Sequence, residues 1–415
     1  VIIKRYFPAL AQRNFRIFWI GQLVSVVGTW MQNVGQAWLV LELTGSAAKL
    51  SVVTAVQFLP MMLLSLFAGP FIDRFPKRRT LIFTQSALAL LALALAIITG
   101  THIVRYWMVL VLAFLLGMVT LIDNPTRQAY VIELSGREYL MNAVSLNSAA
   151  FNTARILGPG IAGILIEAIG IAPCFFLNAA SFIAVIVALL FIDTPARVSS
   201  HPVVSVRDLL ASTKDGIAYI RKRSEIALPL ALMAVISTVV INYNVFVPTF
   251  ARISLGRSAS GYGFLMTSMG IGSLVAALAL AVSSGSGPSR LRLFGGAVGL
   301  CAAILACGLQ RNYALSCVLL GLAGFATISF ATSTNATIQL ASDDEHRGRV
   351  MSVYSLVFGG VTPIGSIYAG IVSEFVGPAL CMAISGAIGL AASAFLLLGR
   401  RRRGRVSLDR PIDRT

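Results

Sequence analysis

Residues 145–174 read SLNSAAFNTARILGPGIAGILIEAIGIAPC, and 207 positions further on residues 352–381 read SVYSLVFGGVTPIGSIYAGIVSEFVGPALC. The shift superposes Ser145 on Ser352, Ser148 on Ser355, Gly158 on Gly365, Gly163 on Gly370, Glu167 on Glu374, Gly170 on Gly377 and Cys174 on Cys381. Just upstream, with four residues of slippage, Asn124, Thr126 and Gln128 of NPTRQ fall on Asn335, Thr337 and Gln339 of NATIQ. Glycine-rich membrane helices can resemble one another by composition alone. Glu, Ser and Gly matching in order, at a shift of half the 415-residue chain, argue instead for two copies of one unit. Two similar bundles that rock about a midplane site, opening it to each side in turn, are a common transporter plan.

Working outward, 57% of the chain is hydrophobic and only 12% charged, which is incompatible with a water-facing surface. A net charge of +17 could signal nucleic acid, but the basic residues sit in short loops between apolar spans, not on one binding face. The five cysteines, Cys174, Cys301, Cys307, Cys317 and Cys381, all lie in apolar stretches without a CxxC pair, so they support neither a disulfide framework nor a metal site. The first long apolar run has no small-residue cleavage pattern after it and reads as a retained helix.

A bilayer core of roughly 30 Å needs on the order of 20 apolar residues per helix. Runs of that length are expected near Phe15 to Leu43, Ser51 to Phe71, Thr80 to Thr99, Tyr106 to Arg127, Asn142 to Ala168 and Pro173 to Phe191. A second set lies near Ile226 to Phe250, Tyr262 to Ser283, Leu291 to Gly308, Tyr313 to Thr337, Arg349 to Val376 and Pro378 to Leu398. With both termini cytoplasmic, 27 of the 33 Lys and Arg fall inside, five fall outside (Lys49, Arg105, Arg252, Arg257, Arg311), and Arg155 is intramembrane. Positive charge near span ends resists translocation, and the bias survives removal of the seven tail arginines, so it sets the orientation. The sequence therefore predicts an all-α membrane protein of twelve transmembrane helices in two pseudo-symmetric six-helix bundles. Residues 1–192 form the first bundle and 226–399 the second. A cytoplasmic linker at 193–225 carries an amphipathic helix on the inner membrane face, and 400–415 form a basic cytoplasmic tail.

Two motifs refine this. At the end of span two stands GPFIDRFPKRR, Gly69 to Arg79, which could be a solvated positive-inside loop but has its acid and bases in the order of the loop 2-3 signature of the major facilitator superfamily. It departs from G-x-L-x-D-R-x-G-R-K at Phe71, Pro76 and Lys77, and its copy SSGSGPSRLR has no Asp. LGPGIAG, Leu157 to Gly163, resembles the end of the span-five signature of exporting members, with Gly158, Pro159 and Gly163 in register and no upstream Gly. The same glycines and proline could simply allow close packing and a kink. WMQNVGQAWLVLELTGS, DNPTRQAYVIELSGREYLMNAVSLNSAAFNTARILGPGIAG and RGRVMSVYSLVFGGVTPIGSIYAG extend the likeness through nearly the whole chain. They resemble the branch of siderophore (enterobactin-type) exporters and macrolide or drug efflux pumps. The resemblance implies the major facilitator fold in a bacterial inner membrane and proton-coupled export of a hydrophobic or catecholate-like small molecule. It also implies that Asp73, Arg74 and Lys77 join Asp123 of span four in a charged inner gate.

Candidate site residues follow from spacing. Gln22, Ser25, Thr29, Gln32 and Gln36 recur every three or four residues on one face of span one, and Ser145, Ser148, Asn152, Arg155 and Pro159 do so in span five. Such stripes line either a wet cavity or hydrogen-bonded helix contacts. Asn242 and Asn244 in span seven and Thr334 and Asn335 in span ten are weaker candidates in the second half. Arg155 is the only basic residue near midplane: it either grips an anionic substrate or is satisfied by neighbouring carbonyls. No His or carboxylate at midplane stands out as the proton carrier.

No glycine precedes any of the five lysines, so the P-loop core is absent, and three scattered histidines argue against an intramembrane enzyme. The reading is a non-enzymatic, cofactor-free monomer that handles a small molecule and protons among membrane lipids, without nucleic acid. An importer of the same fold and a non-transporting sensor or channel remain the alternatives.

Overall fold

The computed structural model describes residues 7–72, 75–192, 206–282 and 289–402, with side chains at 66–72, 206–212, 290 and 399–402 outside that description. Asp73 and Arg74, residues 193–205 of the linker, and the tail beyond 402 therefore lie outside the described residues.

Among the described residues the chain is helical, with eleven segments long and apolar enough to cross a bilayer. After a single turn at Pro8–Ala11 the helices are α1 (Arg13–Thr44), α2 (Ala47–Ile72), α3 (Lys77–Gly100), α4 (Tyr106–Ser135), α5 (Leu140–Ile169) and α6 (Ala172–Leu190). The second half holds α7 (Ser224–Ser254), α8 (Ala259–Val282), α9 (Arg290–Leu309), α10 (Tyr313–Ala341), α11 (Asp344–Val376) and α12 (Pro378–Arg402). Helix α1, at 32 residues, is long enough to span but stands outside the eleven; Gln22, Gln32, Asn33 and Gln36 lower its hydropathy. Large apolar side chains such as Phe83, Leu90, Val282, Leu291 and Phe395 are 66–91% exposed, as lipid-facing residues must be when lipid is the solvent.

Three helices differ from the sequence expectation. Helix α7 is interrupted: Ser224–Val239 ends at Val240, Tyr243–Thr249 restarts from Asn242, and Phe250–Ser254 is a π-helical turn. Helix α11 begins at Asp344 rather than Arg349 and carries a π-helical turn at Leu356–Gly360, just before Pro363. The missing N–H of proline and two adjacent glycines weaken the regular ladder there. Helix α4 runs to Ser135 rather than Arg127, because Tyr130, Val131 and Leu134 keep an apolar stripe buried, Tyr130 meeting Phe18 edge-on at 5.3 Å.

Within the first half, α1 packs on α5 and α6, α2 on α4, and α3 on α6; within the second, α8 and α9 pack on α10, and α9 on α12. The two halves meet along α5 with α8 and α2 with α11. The linker forms a helix at Val206–Lys222 that lies against the start of α11: Tyr219 stacks on His346 at 4.2 Å, and Arg223 forms a two-pronged pair with Asp343 at 2.7 and 3.1 Å. The described part of this helix is thus tied to protein.

Candidate functional site

Arg155 stands at the middle of α5, half-buried, with no ion pair or hydrogen bond to a carbonyl among the described residues. Its guanidinium lies 5.9 Å from the ring centre of Trp30 on α1, within the range of a cation–π contact. Phe151, one turn earlier on α5, meets Trp30 edge-on at 5.8 Å. From the second half, Tyr243 lies within electrostatic reach of Arg155, and its hydroxyl shares a 2.7 Å hydrogen bond with Thr327 of α10. Trp30, Arg155, Tyr243 and Thr327 each fall near the centre of their helices, so four elements from both halves converge at mid-depth. Tyr243 is placed by the break in α7: Asn242 precedes the short second segment without capping it, its Oδ1 unpaired and its Nδ2 donating back to Thr238 O at 2.8 Å.

The chemical capacity of this cluster is specific. A guanidinium that no acceptor engages among the described residues offers a planar fork of donors to a carboxylate or similar oxyanion. The Trp30 and Phe151 rings beside it offer apolar faces for a ring or chain.

The polar stripe of α1 is distributed among neighbours. Gln22 donates to Asn147 Oδ1 of α5 at 2.5 Å, Gln32 accepts from Asn178 Nδ2 of α6 at 2.6 Å, and Gln36 donates to Gln57 Oε1 of α2 at 2.9 Å. Thr29 donates to Ser25 O at 2.9 Å, while the buried Ser25 hydroxyl has no partner. These contacts are the helix-to-helix alternative for that stripe. On α5 the stripe is more open: Ser145 and Ser148 are exposed, and half-buried Asn152 donates to Ser148 O at 2.9 Å. On α10, half-buried Asn335 accepts from Gln339 at 2.6 Å, and Thr334 is buried with its hydroxyl unpaired.

At the inner end, Lys77 and Asp123 do not meet. Lys77 pairs with Glu133 of α4 at 3.7 Å. Asp123 is buried and accepts from Thr84 and Gln85 of α3, each at 2.7 Å, and from both the Nε and Nη2 of Arg127. Residues 77 and 84 are two helical turns apart, roughly 10 Å along α3, so the two charges occupy different levels. Arg78, which reads as a topology determinant, donates to Leu189 O and Leu190 O at 2.7 and 3.1 Å and satisfies the end of α6.

The GPGIAG stretch builds two seams at once. A Cβ at Gly158 would stand 2.5 Å from Trp30 Cβ on α1, and one at Gly163 would stand 2.8 Å from Ala259 O and Ser260 Cα on α8. On the facing helix a Cβ at Gly270 would stand 3.0 Å from Arg155 O, the carbonyl left without a helical donor by Pro159. Thr267 supplies a hydroxyl to the next carbonyl, Ile156 O, at 2.9 Å. The motif thus brings α8 against the segment that carries Arg155. Sequence spacing does not find Trp30, Tyr243 or Thr327, because an isolated aromatic or threonine in an apolar run reads as packing.

Residues 5–409 match the family described as transmembrane secretion effector, of the major facilitator superfamily. The chain is 26% identical to a staphyloferrin A transporter of Staphylococcus aureus over 89% of its length and 92% of that protein's. It is 27% identical to the multidrug efflux pump Tap of Mycolicibacterium fortuitum over 86% of this chain and 88% of that one. The solved structures of a nucleoside transporter, NupG, and of a bacterial homologue of the lysosomal transporter Spinster each superpose with a TM-score of 0.73. They cover 93% and 95% of this chain and 99% and 98% of theirs, and at 12% and 13% identity they speak to fold alone.

Proposed function

Because the chain belongs to the transmembrane secretion effector family of the major facilitator superfamily, and is therefore a multi-pass, non-enzymatic transport protein, we propose that it exports a small organic anion bearing an apolar or aromatic part. Relatives named for staphyloferrin A transport and for drug efflux support the direction and the size class. The observation that carries the substrate chemistry is Arg155, unengaged by any protein acceptor among the described residues, with Trp30 at cation–π distance and Tyr243 within electrostatic reach. Asn152, one turn from Arg155 on α5, is a further ligand candidate, and Asn335 of α10 is another toward the inner end; Gln22, Gln32 and Gln36 hold the wall.

In this reading α1 is the twelfth span, residues 1–192 and 226–399 are two six-helix bundles, and both termini face the cytoplasm of a bacterial inner membrane. The bundles rock about the Arg155 level, with proton influx driving export. The protein works as a monomer among lipids.

The test is uptake into inverted membrane vesicles under an imposed proton gradient, using carboxylate-bearing and neutral siderophore or drug probes. Export requires accumulation that collapses with the gradient and is lost in Arg155→Ala. Accumulation only in right-side-out vesicles would establish an importer, and absence of counterflow in either orientation would favour a sensor.

A further inference from the structure

The two glutamates matched by the internal repeat, Glu167 and Glu374, are not used by the site above, yet they make the same contact twice. Glu374, near the end of α11, accepts from Ser46 Oγ at 3.0 Å and from Ala48 N at 3.2 Å. Ser46 immediately precedes α2, and its hydroxyl oxygen also accepts from Lys49 N at 3.2 Å, so it is the helix cap. Glu167, near the end of α5, accepts from Ser258 Oγ at 3.0 Å and from the hydroxyl and N–H of Ser260. Ser258 immediately precedes α8. Each carboxylate therefore takes the capping serine hydroxyl and the N–H two residues on, at the positive end of a long helix.

Both contacts cross between the halves of the chain, in opposite senses. Glu374 of the second half holds α2 of the first; Glu167 of the first half holds α8 of the second. Each sits one to two turns beyond the glycine that lets its helix pair close. A Cβ at Gly370 would run into the Ser51 side chain of α2, as one at Gly163 would into Ala259 and Ser260 of α8. Close backbone approach comes first, and the carboxylate then locks the end of each seam.

We propose that Glu167 and Glu374 are positioning residues of the transport cycle: a two-fold latch that pins α8 and α2 and holds the outer side closed. The inference rests on the alternating-access reading above. In the outward-open state α5 must leave α8 and α11 must leave α2 at this end, so both caps break together and both carboxylates return to water. The acids thus bias the ratio of two conformers without touching substrate. The contacts are exposed, so each is worth only about a three-fold shift in that ratio, and the two together about ten-fold, as independent terms multiply.

The experiment is a set of spin-label distance measurements on the full chain in lipid nanodiscs without substrate. One label pair reports the outer ends, Ile103 with Leu309, and one the inner ends, Met141 with Leu340; all four residues are exposed. Glu167→Ala with Glu374→Ala should lengthen the outer distances and shorten the inner ones, each single variant giving an intermediate shift. Glu→Gln at both positions, which keeps the acceptor oxygen but not the charge, should retain part of the closed population. Outer distances unchanged in a monodisperse double variant would overturn the latch, as would outer lengthening without inner shortening, which is local fraying. If the double alanine variant does not fold, Ser46→Ala with Ser258→Ala removes the donors instead and must give the same reciprocal shift. No substrate is present, so a flat result sinks the latch alone, whereas absent flux with an intact distance shift sinks the export reading alone.

Discussion

Asp123→Asn separates a structural role from a gating one. The wild-type carboxylate is 2% exposed; one oxygen accepts from Thr84 and Gln85 at 2.7 Å each, and the other is gripped by Arg127 Nε and Nη2. The asparagine carbonyl can keep the Thr84 and Gln85 contacts, but its amide then presents donors to the Arg127 donors. Two charge-assisted bonds are lost, and a guanidinium whose side chain is only 14% exposed loses its counter-charge. Breaking a buried pair by removing one partner costs about 3–5 kcal/mol, and the retained half of the contacts places this variant near the lower bound, about 3 kcal/mol. Thermal unfolding followed in detergent should show a lowered midpoint for Asp123→Asn and for Arg127→Leu. The pair Asp123→Leu with Arg127→Leu should be less destabilised than the sum, since neither charge is then left alone. Unchanged unfolding of Asp123→Asn, together with a changed inner distance between Met141 and Leu340, would refute this account and give Asp123 a gating role instead.

The other outcomes concern the site, the seam and the topology. Arg155→Lys should lose most export of a carboxylate probe, on the order of ten-fold in rate, because the ammonium replaces a planar fork with a point charge; parallel loss of folded protein on size-exclusion chromatography would mark Arg155 as structural. Gly263→Val places a branched side chain where even a Cβ would collide with Pro159 O, so flux should fall by at least ten-fold with insertion retained; wild-type flux would mean that the α5–α8 seam does not need close approach. Cysteine at Arg311 should react with an impermeant maleimide in intact cells and cysteine at Lys222 only after lysis, both positions being exposed; the reverse pattern would invert the topology.

Helix existence was readable because a bilayer imposes a minimum length: the run expected at Phe15 to Leu43 is the helix Arg13–Thr44. Helix ends and interruptions were not. Arg127 and Gln128 signal the edge of the apolar zone rather than the end of α4, which continues because Tyr130 and Leu134 still find a buried partner surface. The break at Asn242 leaves no proline at the site and so has no local signal; it shows only once Asn242 packs against Gly365 of α11. Spacing told which face of α1 is polar, but whether that face meets water or Asn147, Gln57 and Asn178 depends on helices 21 to 146 residues away. Arg155 was legible because one charge in an apolar run is conspicuous, whereas its ring partners are ordinary residues for a membrane helix.

The repeat itself divides the molecule by role. At the shift of 207, Gly163 falls on Gly370 and Glu167 on Glu374, and both pairs lie where one half of the chain meets the other. The same shift places Arg155 on Thr362, Asn152 on Gly359 and Pro159 on Ser366, so the midpoint cluster has no counterpart. That asymmetry has a physical basis. In the alternating-access reading, two seams that open and close together must be balanced in energy, and the simplest way to balance them is to build both from the same glycine and the same carboxylate. In the export reading proposed above, a small ligand has no two-fold symmetry to match, and a second guanidinium opposite Arg155 would repel it in a low-dielectric setting. The cation can therefore stand on one half only. The second half is then free to supply a neutral partner, and Tyr243, held by Thr327, lies within electrostatic reach of Arg155. Moving the charge across should fail for the same reason: Tyr243→Arg in the presence of Arg155 should destabilise the protein, while Tyr243→Phe should fold normally and weaken only binding. Stable, active Tyr243→Arg would show that the cavity is wet enough to screen two cations and that the asymmetry of the site has another cause.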